Sequence, residues 1–153
     1  MEVREYPKTL ELNLNQVLDL MGAQRTIYLD GFGKNTSTGA LTNKLGEFST
    51  AMGILFSAAS GAGATAGGWA ATIIGLVAGI GSGAPTLENY VKNGSFYLTG
   101  VTDFMRKNTQ YDRIRVEVPM IEYNTVDGYV RFVIGEGQTT GVHYRGGDWV
   151  TDQ

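Results

Sequence analysis

The sequence predicts a mainly β protein: a small antiparallel β-rich domain with an apolar, Gly/Ala-rich helical hairpin inserted into it. Two observations carry this reading. Short segments that alternate apolar with polar residues, the period of half-buried strands, lie toward both ends of the chain, at Thr9–Leu14, Ile114–Tyr123 and Tyr129–Ile134. Between them, Phe48 to Leu87 is a run of 40 residues without a charged side chain, and 19 of these are Gly or Ala. The 12 basic and 15 acidic residues all lie outside the run. At 153 residues the chain is long enough for one domain with a sizeable core. The division expected is a β-rich scaffold at 9–33 and 90–151 with the hairpin at 45–84.

Thr9–Leu14 reads as the first strand. Asn15–Ala23 either continues it or forms a helical turn capped by Asn15. Arg25–Phe32 reads as a strand ended by Gly31 and Gly33, and Lys34–Thr42, rich in Thr, Ser, Asn and Gly, as a loop. Leu45–Ala59 is helix-like, with Leu45, Phe48, Met52, Leu55 and Phe56 at helical spacing. Ser60–Gly68 reads as a hinge or turn, and Trp69–Gly83 as a second helix stopped by Pro85. Beyond it, Asn93-Gly94 reads as a turn, Phe96–Leu98 as a short strand and Thr102–Lys107 as a helical turn. Pro119 inside Ile114–Tyr123 predicts an edge strand or a bulge. Asp127-Gly128 predicts a hairpin turn leading into Tyr129–Ile134. Thr139–Arg145 and Asp148–Thr151 close the sheet.

Composition excludes several functions. The net charge is −3 with no basic stripe, so no nucleic-acid specificity is expected. With no cysteine there is neither a disulfide framework nor a thiolate metal site. The N-terminal MEVREYPKTLEL mixes charges without an apolar stretch, so no signal peptide is read there. The expected location is a virion or the extracellular space, reached by lysis, by a dedicated system or within a particle.

Catalytic chemistry is thin, and no enzyme activity, catalytic residue, cofactor or metal is expected. His143 is the one histidine; with no partner ligand to orient it, it reads as a surface or half-buried strand residue. Glu117 and Glu122, five apart on one strand, fall on opposite faces, which does not make a glycosidase pair. Arg113, Arg115 and Arg131 read as partners for strand carboxylates. The Gly-rich stretches lack both the P-loop lysine and the Gly-x-Gly-x-x-Gly spacing.

The apolar run is where function is expected. Small residues recur every fourth position at Ala59, Gly63, Gly67, Ala71, Gly75, Gly79 and Gly83. Each Gly in a helix interior costs about 1 kcal/mol relative to Ala, a cost offset where backbones approach closely. On the helical wheel Ala71, Gly75 and Gly79 share one side, and Ile73, Leu76, Val77 and Ile80 the other. The residues expected at a membrane or oligomer contact are Phe48, Met52, Leu55, Phe56, Trp69, Ile73, Ile74, Gly75, Val77, Gly79, Ile80 and Gly83. Trp69, at the hairpin tip, suits an interfacial anchor. The second helix alone is about 22 Å long, short of the ~30 Å hydrocarbon core. That argues for conditional insertion rather than a stop-transfer anchor.

FSTAMGILFSAASGAGATAGGWAATIIGLVAGIGSGAP, residues 48–85, resembles the membrane-penetrating loop of podovirus tail-knob proteins. The resemblance implies a loop inserted in a β-rich, tube-forming domain, with several copies entering a host membrane during genome delivery. It covers about a quarter of the chain, and the flanks share no motif with that family. The expected function is a non-enzymatic structural component of a virion or tail tip. Its partners would be further copies of itself, other virion or assembly proteins and a lipid bilayer. The alternatives are a secreted pore-forming toxin or bacteriocin, and a filament or shell subunit with Gly/Ala helices packed between copies.

Overall fold

The computed structural model describes residues 2–32, 37–58, 66–126 and 128–151. The chain runs β1 (Val3–Leu12), α1 (Leu14–Thr26) with a π-helical turn (Ile27–Gly31), α2 (Thr38–Leu45), α3 (Ser49–Leu55), β2 (Phe56–Ala58), α4 (Ala66–Ile80), α5 (Ala84–Lys107), β3 (Tyr111–Thr125), β4 (Gly128–Val133), β5 (Gln138–Tyr144) and β6 (Trp149–Thr151). Helical residues outnumber strand residues. The fold is therefore an antiparallel sheet combined with helices, not a mainly β domain, and the expectation is corrected in that respect.

β3 organises the sheet. One edge pairs with β1, from Val3 opposite Tyr123 to Leu12 opposite Ile114. The other edge is shared: β4 pairs with Met120–Thr125 and β5 with the stretch from Tyr111 to Glu117. β4 and β5 thus form one long return strand interrupted at residues 134–137. β2 extends β4, and β6 extends β5.

Pro119 sits at the interruption and lies opposite Pro7. Neither proline has an N–H to give, so the two can face each other only at a non-hydrogen-bonded site of the ladder. Pro119 therefore turns its nitrogen and carbonyl toward β4 and β5, where its carbonyl accepts from the Ile134 N–H at 3.0 Å. The bulge expected from Pro119 is thus in the partner strand, and β3 is central rather than an edge. Pro7 turns its missing donor to the outer edge of β1, which blunts that edge against further pairing. The Asp127-Gly128 turn lies partly outside the described residues; Gly128 has φ 132°, a conformation that suits Gly.

α1 starts at Asn13, not Asn15. The Asn13 side chain accepts from the Gln16 N–H at 2.8 Å, and the Gln16 side chain accepts from the Asn13 N–H at 2.9 Å, a reciprocal capping box. The expected strand Arg25–Phe32 is instead the end of this helix. Leu20, Ala23, Ile27 and Gly31 follow one another at helical spacing and are all buried. Tertiary packing decides what the β-favouring Thr-Ile-Tyr-Leu composition leaves open.

The expected turn at Asn93-Gly94 and strand at Phe96–Leu98 both lie within the 24-residue α5. Leu87, Val91, Leu98, Val101 and Met105 line its buried side. Pro85 occupies the first turn of α5, where its missing N–H is harmless; it opens a helix rather than stopping one. Gly94 permits a close approach: a Cβ there would land on the Val133 carbonyl oxygen and stand 2.7 Å from Gln24 Nε2.

One hydrophobic core joins sheet and helices. Leu12, Ile114, Met120 and Phe132 from the sheet and Leu20, Leu98, Leu55 and Ile73 from the helices all belong to it. Helix and strand segments of the uncharged run take part, so the run is not a hairpin standing outside a finished domain. Instead α3 packs on α1 and α4 packs on α2.

Candidate membrane and assembly contact

α4 has two faces of different character. Trp69, Ala70, Ile73 and Leu76 are buried and turn toward α2 and the π-helical turn, where an Ile73 methyl would stand 3.3 Å from a Cβ at Gly31. The Trp69 ring stacks on Phe56 of β2, with centroids 4.5 Å apart and planes at 19°. Thr72 returns its hydroxyl to the Gly68 carbonyl at 2.9 Å, which removes a polar group from the apolar surface. The opposite face, Ala71, Gly75, Ala78 and Gly79, is exposed. A Cβ built on Gly75 or Gly79 meets nothing within 4 Å.

The expected contact residues therefore separate. Gly75 and Gly79 lie on the open ridge. Ile74, Val77 and Ile80 flank it, half-buried, as does Gly83 beyond the helix end. Phe48 and Met52 are half-buried against the core. Leu55, Phe56, Trp69 and Ile73 are buried, Trp69 only 4% exposed. The chain's own residues cover these four in this conformation, and the expectation of Trp69 at an exposed tip is corrected. The cause is β2: three residues, Phe56–Ala58, pair with β4 and bring Phe56 under the indole. Ala59, Gly63 and most of the expected hinge at Ser60–Gly68 lie outside the described residues.

The regular α-helix of α4 ends at Ile80, and a 3-10 turn, Gly81–Gly83, leads into α5. Gly81 adopts φ 62°, the left-handed conformation that ends helices and favours glycine. A Cβ on Gly83 would stand 2.6 Å from an Ile80 methyl, so the Ile80 side chain folds over the turn. Even so, Gly68–Lys107 is 40 residues of helical backbone containing an apolar stretch of mean hydropathy 1.5, of which 28% is buried.

Among the described residues, two clusters of ionisable groups lie on the sheet, apart from the Lys44–Asp30 pair between helices at 2.8 Å. Glu122 is 3% exposed and accepts from Tyr6 at 2.8 Å and from Arg4 Nε at 3.2 Å, with Arg4 Nη2 closing the pair. Burial alone would raise the Glu122 carboxyl. The hydrogen bonds from Arg4 and Tyr6, with the charges of Arg4 and Arg131, outweigh it and hold the group below its ordinary value. Glu117 is exposed on the other face, as the strand period requires. Arg115 pairs with Glu11 across the ladder at 3.1 Å, whereas Arg131 donates to the Ile54 carbonyl at 2.7 Å.

At the other end of the sheet, His143 Nδ1 lies 2.6 Å from Asp112 Oδ1. That hydrogen bond lowers the Asp112 carboxyl below its ordinary value. The Trp149 ring lies 5.3 Å from the imidazole and 4.3 Å from the Arg115 guanidinium. The half-buried strand histidine was legible in the sequence; its aspartate partner, 31 residues away, had no local signal. Among the described residues no group of three or more His, Cys, Asp or Glu side chains is placed to hold a metal ion. Both clusters cross-link neighbouring strands, whereas α4 leaves one face open. No protein-family model, curated protein or solved structure matches this chain.

Proposed function

We propose that this protein is a non-enzymatic structural subunit of a virion or tail tip, and that α4 is its contact with a host membrane. The observation that carries the reading is the apolar stretch of Gly68–Lys107, of mean hydropathy 1.5, with only 28% of it buried. A core helix of a soluble domain covers such a surface; here the Ala71–Gly75–Gly79 ridge lies open. The inner face of α4 is engaged in the core, so the first contact is by the outer face, and deeper entry requires Trp69 and Ile73 to leave their partners.

The test uses the full chain in a Trp149→Phe background, so that emission reports Trp69 alone. With anionic vesicles trapped dye escapes, and Trp69 emission shifts as the indole leaves its buried stack on Phe56. Ile74→Asp/Val77→Asp suppresses leakage, because each charge at membrane depth costs about 2.5–3.5 kcal/mol. Absence of both shift and leakage, including after mild acid, overturns the membrane reading.

A second reading is supported by the same open glycines. Gly75 and Gly79 leave room for a second helix at close approach, the geometry of small-residue helix pairs. In that reading the protein is a homo-oligomeric filament or shell subunit with α4 packed between copies. Sedimentation without lipid tests it: a concentration-dependent oligomer lost on Gly79→Leu supports it.

A further inference from the structure

We infer that Gly81 is a hinge that breaks the line between α4 and α5, and that its change from left-handed to helical backbone joins the two into one membrane-length helix. The purpose assigned to the motion rests on the membrane reading above; the hinge itself rests on separate observations. Gly81 is the positive-φ residue between Ala66 and Lys107, at φ 62°; α4 packs mainly on α2 and α5 mainly on α1 and β4, while both touch the π-helical turn. A Cβ on Gly81 meets nothing within 4 Å, so space does not demand glycine there; backbone conformation does. Gly83 is required differently, by the Ile80 methyl 2.6 Å from its would-be Cβ. Both glycines thus favour the broken arrangement, one through φ and one through contact.

Length gives the motion its consequence. α4 alone is about 22 Å long, too short for the ~30 Å hydrocarbon core. The charge-free stretch from Ala66 to Leu87 is about 33 Å as one helix, and it ends at Glu88, a charge that belongs at an interface. In this structure the left-handed Gly81 divides that length. Pro85, in the first turn of α5, leaves a kink in the joined helix of the kind membrane helices tolerate. What the stretch gives up on swinging out is apolar contact by Trp69, Ala70, Ile73, Leu76 and Leu87, which a bilayer replaces in kind.

The chain has no cysteine, so spin labels at Ala71→Cys and Lys92→Cys report the hinge directly. The two sites lie about 31 Å apart along a straight helix and closer when it is broken. Gly81→Ala penalises the left-handed state and shifts the population toward the long distance about 5- to 30-fold. Gly83→Ala shifts it the same way by crowding Ile80. Gly100→Ala, in open space, leaves it unchanged. Wild-type protein lengthens on adding phosphatidylcholine/phosphatidylglycerol vesicles. Retention of the short distance in Gly81→Ala and Gly83→Ala, each with a cooperative melt, overturns the hinge. Dye leakage by wild type without lengthening also overturns it while sparing the membrane reading. Lengthening in Gly81→Ala without vesicle association supports the hinge and overturns the membrane reading.

Discussion

Replacing Gln24 by Leu tests how the helices are fixed to the sheet. Gln24 is fully buried in α1. Its amide nitrogen donates to the Val133 carbonyl at 2.9 Å and its amide oxygen accepts from the Val133 N–H at 2.6 Å. The side chain thus stands in for a neighbouring strand where β4 reaches its last residue and β2 no longer covers its edge. Leu fills a similar volume but leaves both Val133 backbone groups buried and unpaired. Each such group costs about 1–3 kcal/mol, so the loss is about 2–6 kcal/mol, a large share of the 5–15 kcal/mol typical of a domain. The third contact, from Nε2 to the Val91 carbonyl at 3.2 Å, adds little, because a helix-interior carbonyl already accepts within α5. Urea unfolding followed by circular dichroism measures the loss, and hydrogen exchange at the Val133 amide localises it. A loss below about 0.5 kcal/mol, the scale of an ordinary surface substitution, with Val133 still protected, would refute the account.

Gly94→Ala drives a methyl into the Val133 carbonyl and lowers stability by about 1–3 kcal/mol, seen as a lower urea midpoint, whereas Gly100→Ala, in open space, does not destabilise. Acid exposes the Glu122 cluster. Its folded-state pKa is depressed, so its stabilising contribution is present above the ordinary value near 4.5 and is lost as pH falls through the folded value. Glu122→Gln should flatten the dependence of the melting temperature on pH in that window, and a slope equal to wild type would remove Glu122 from the explanation. Gly79→Leu leaves the monomer fold intact, since nothing lies within 4 Å of its Cβ, yet weakens any assembly built on the α4 ridge. An unchanged sedimentation profile alongside a detectable wild-type oligomer would remove the ridge from that interface.

Local signals in the chain settle the strand periods around β1, β3, β4 and β5, because alternation of apolar and polar residues is visible within any one strand. The uncharged run, its helical second half and the opposite-face placement of Glu117 and Glu122 are legible for the same reason: composition and period are local quantities. Tertiary structure alone decides what depends on distant residues. Arg25–Phe32 and Phe96–Leu98 carry β-favouring residues yet are helical, because Ile27 and Leu98 fill a core shared with elements far along the chain. Asn93-Gly94 resembles a turn, but its glycine answers to the Val133 carbonyl, 39 residues further on. Trp69 reads as an interfacial anchor from its neighbours in sequence, and only the pairing of β2 with β4 places Phe56 beneath it. Along α4 itself, the sequence determines a thin ridge and a bulky face. Which of the two turns inward is fixed by packing: Trp69, Ile73 and Leu76 bury more apolar area against α2 than Ala71, Gly75 and Gly79 have to offer.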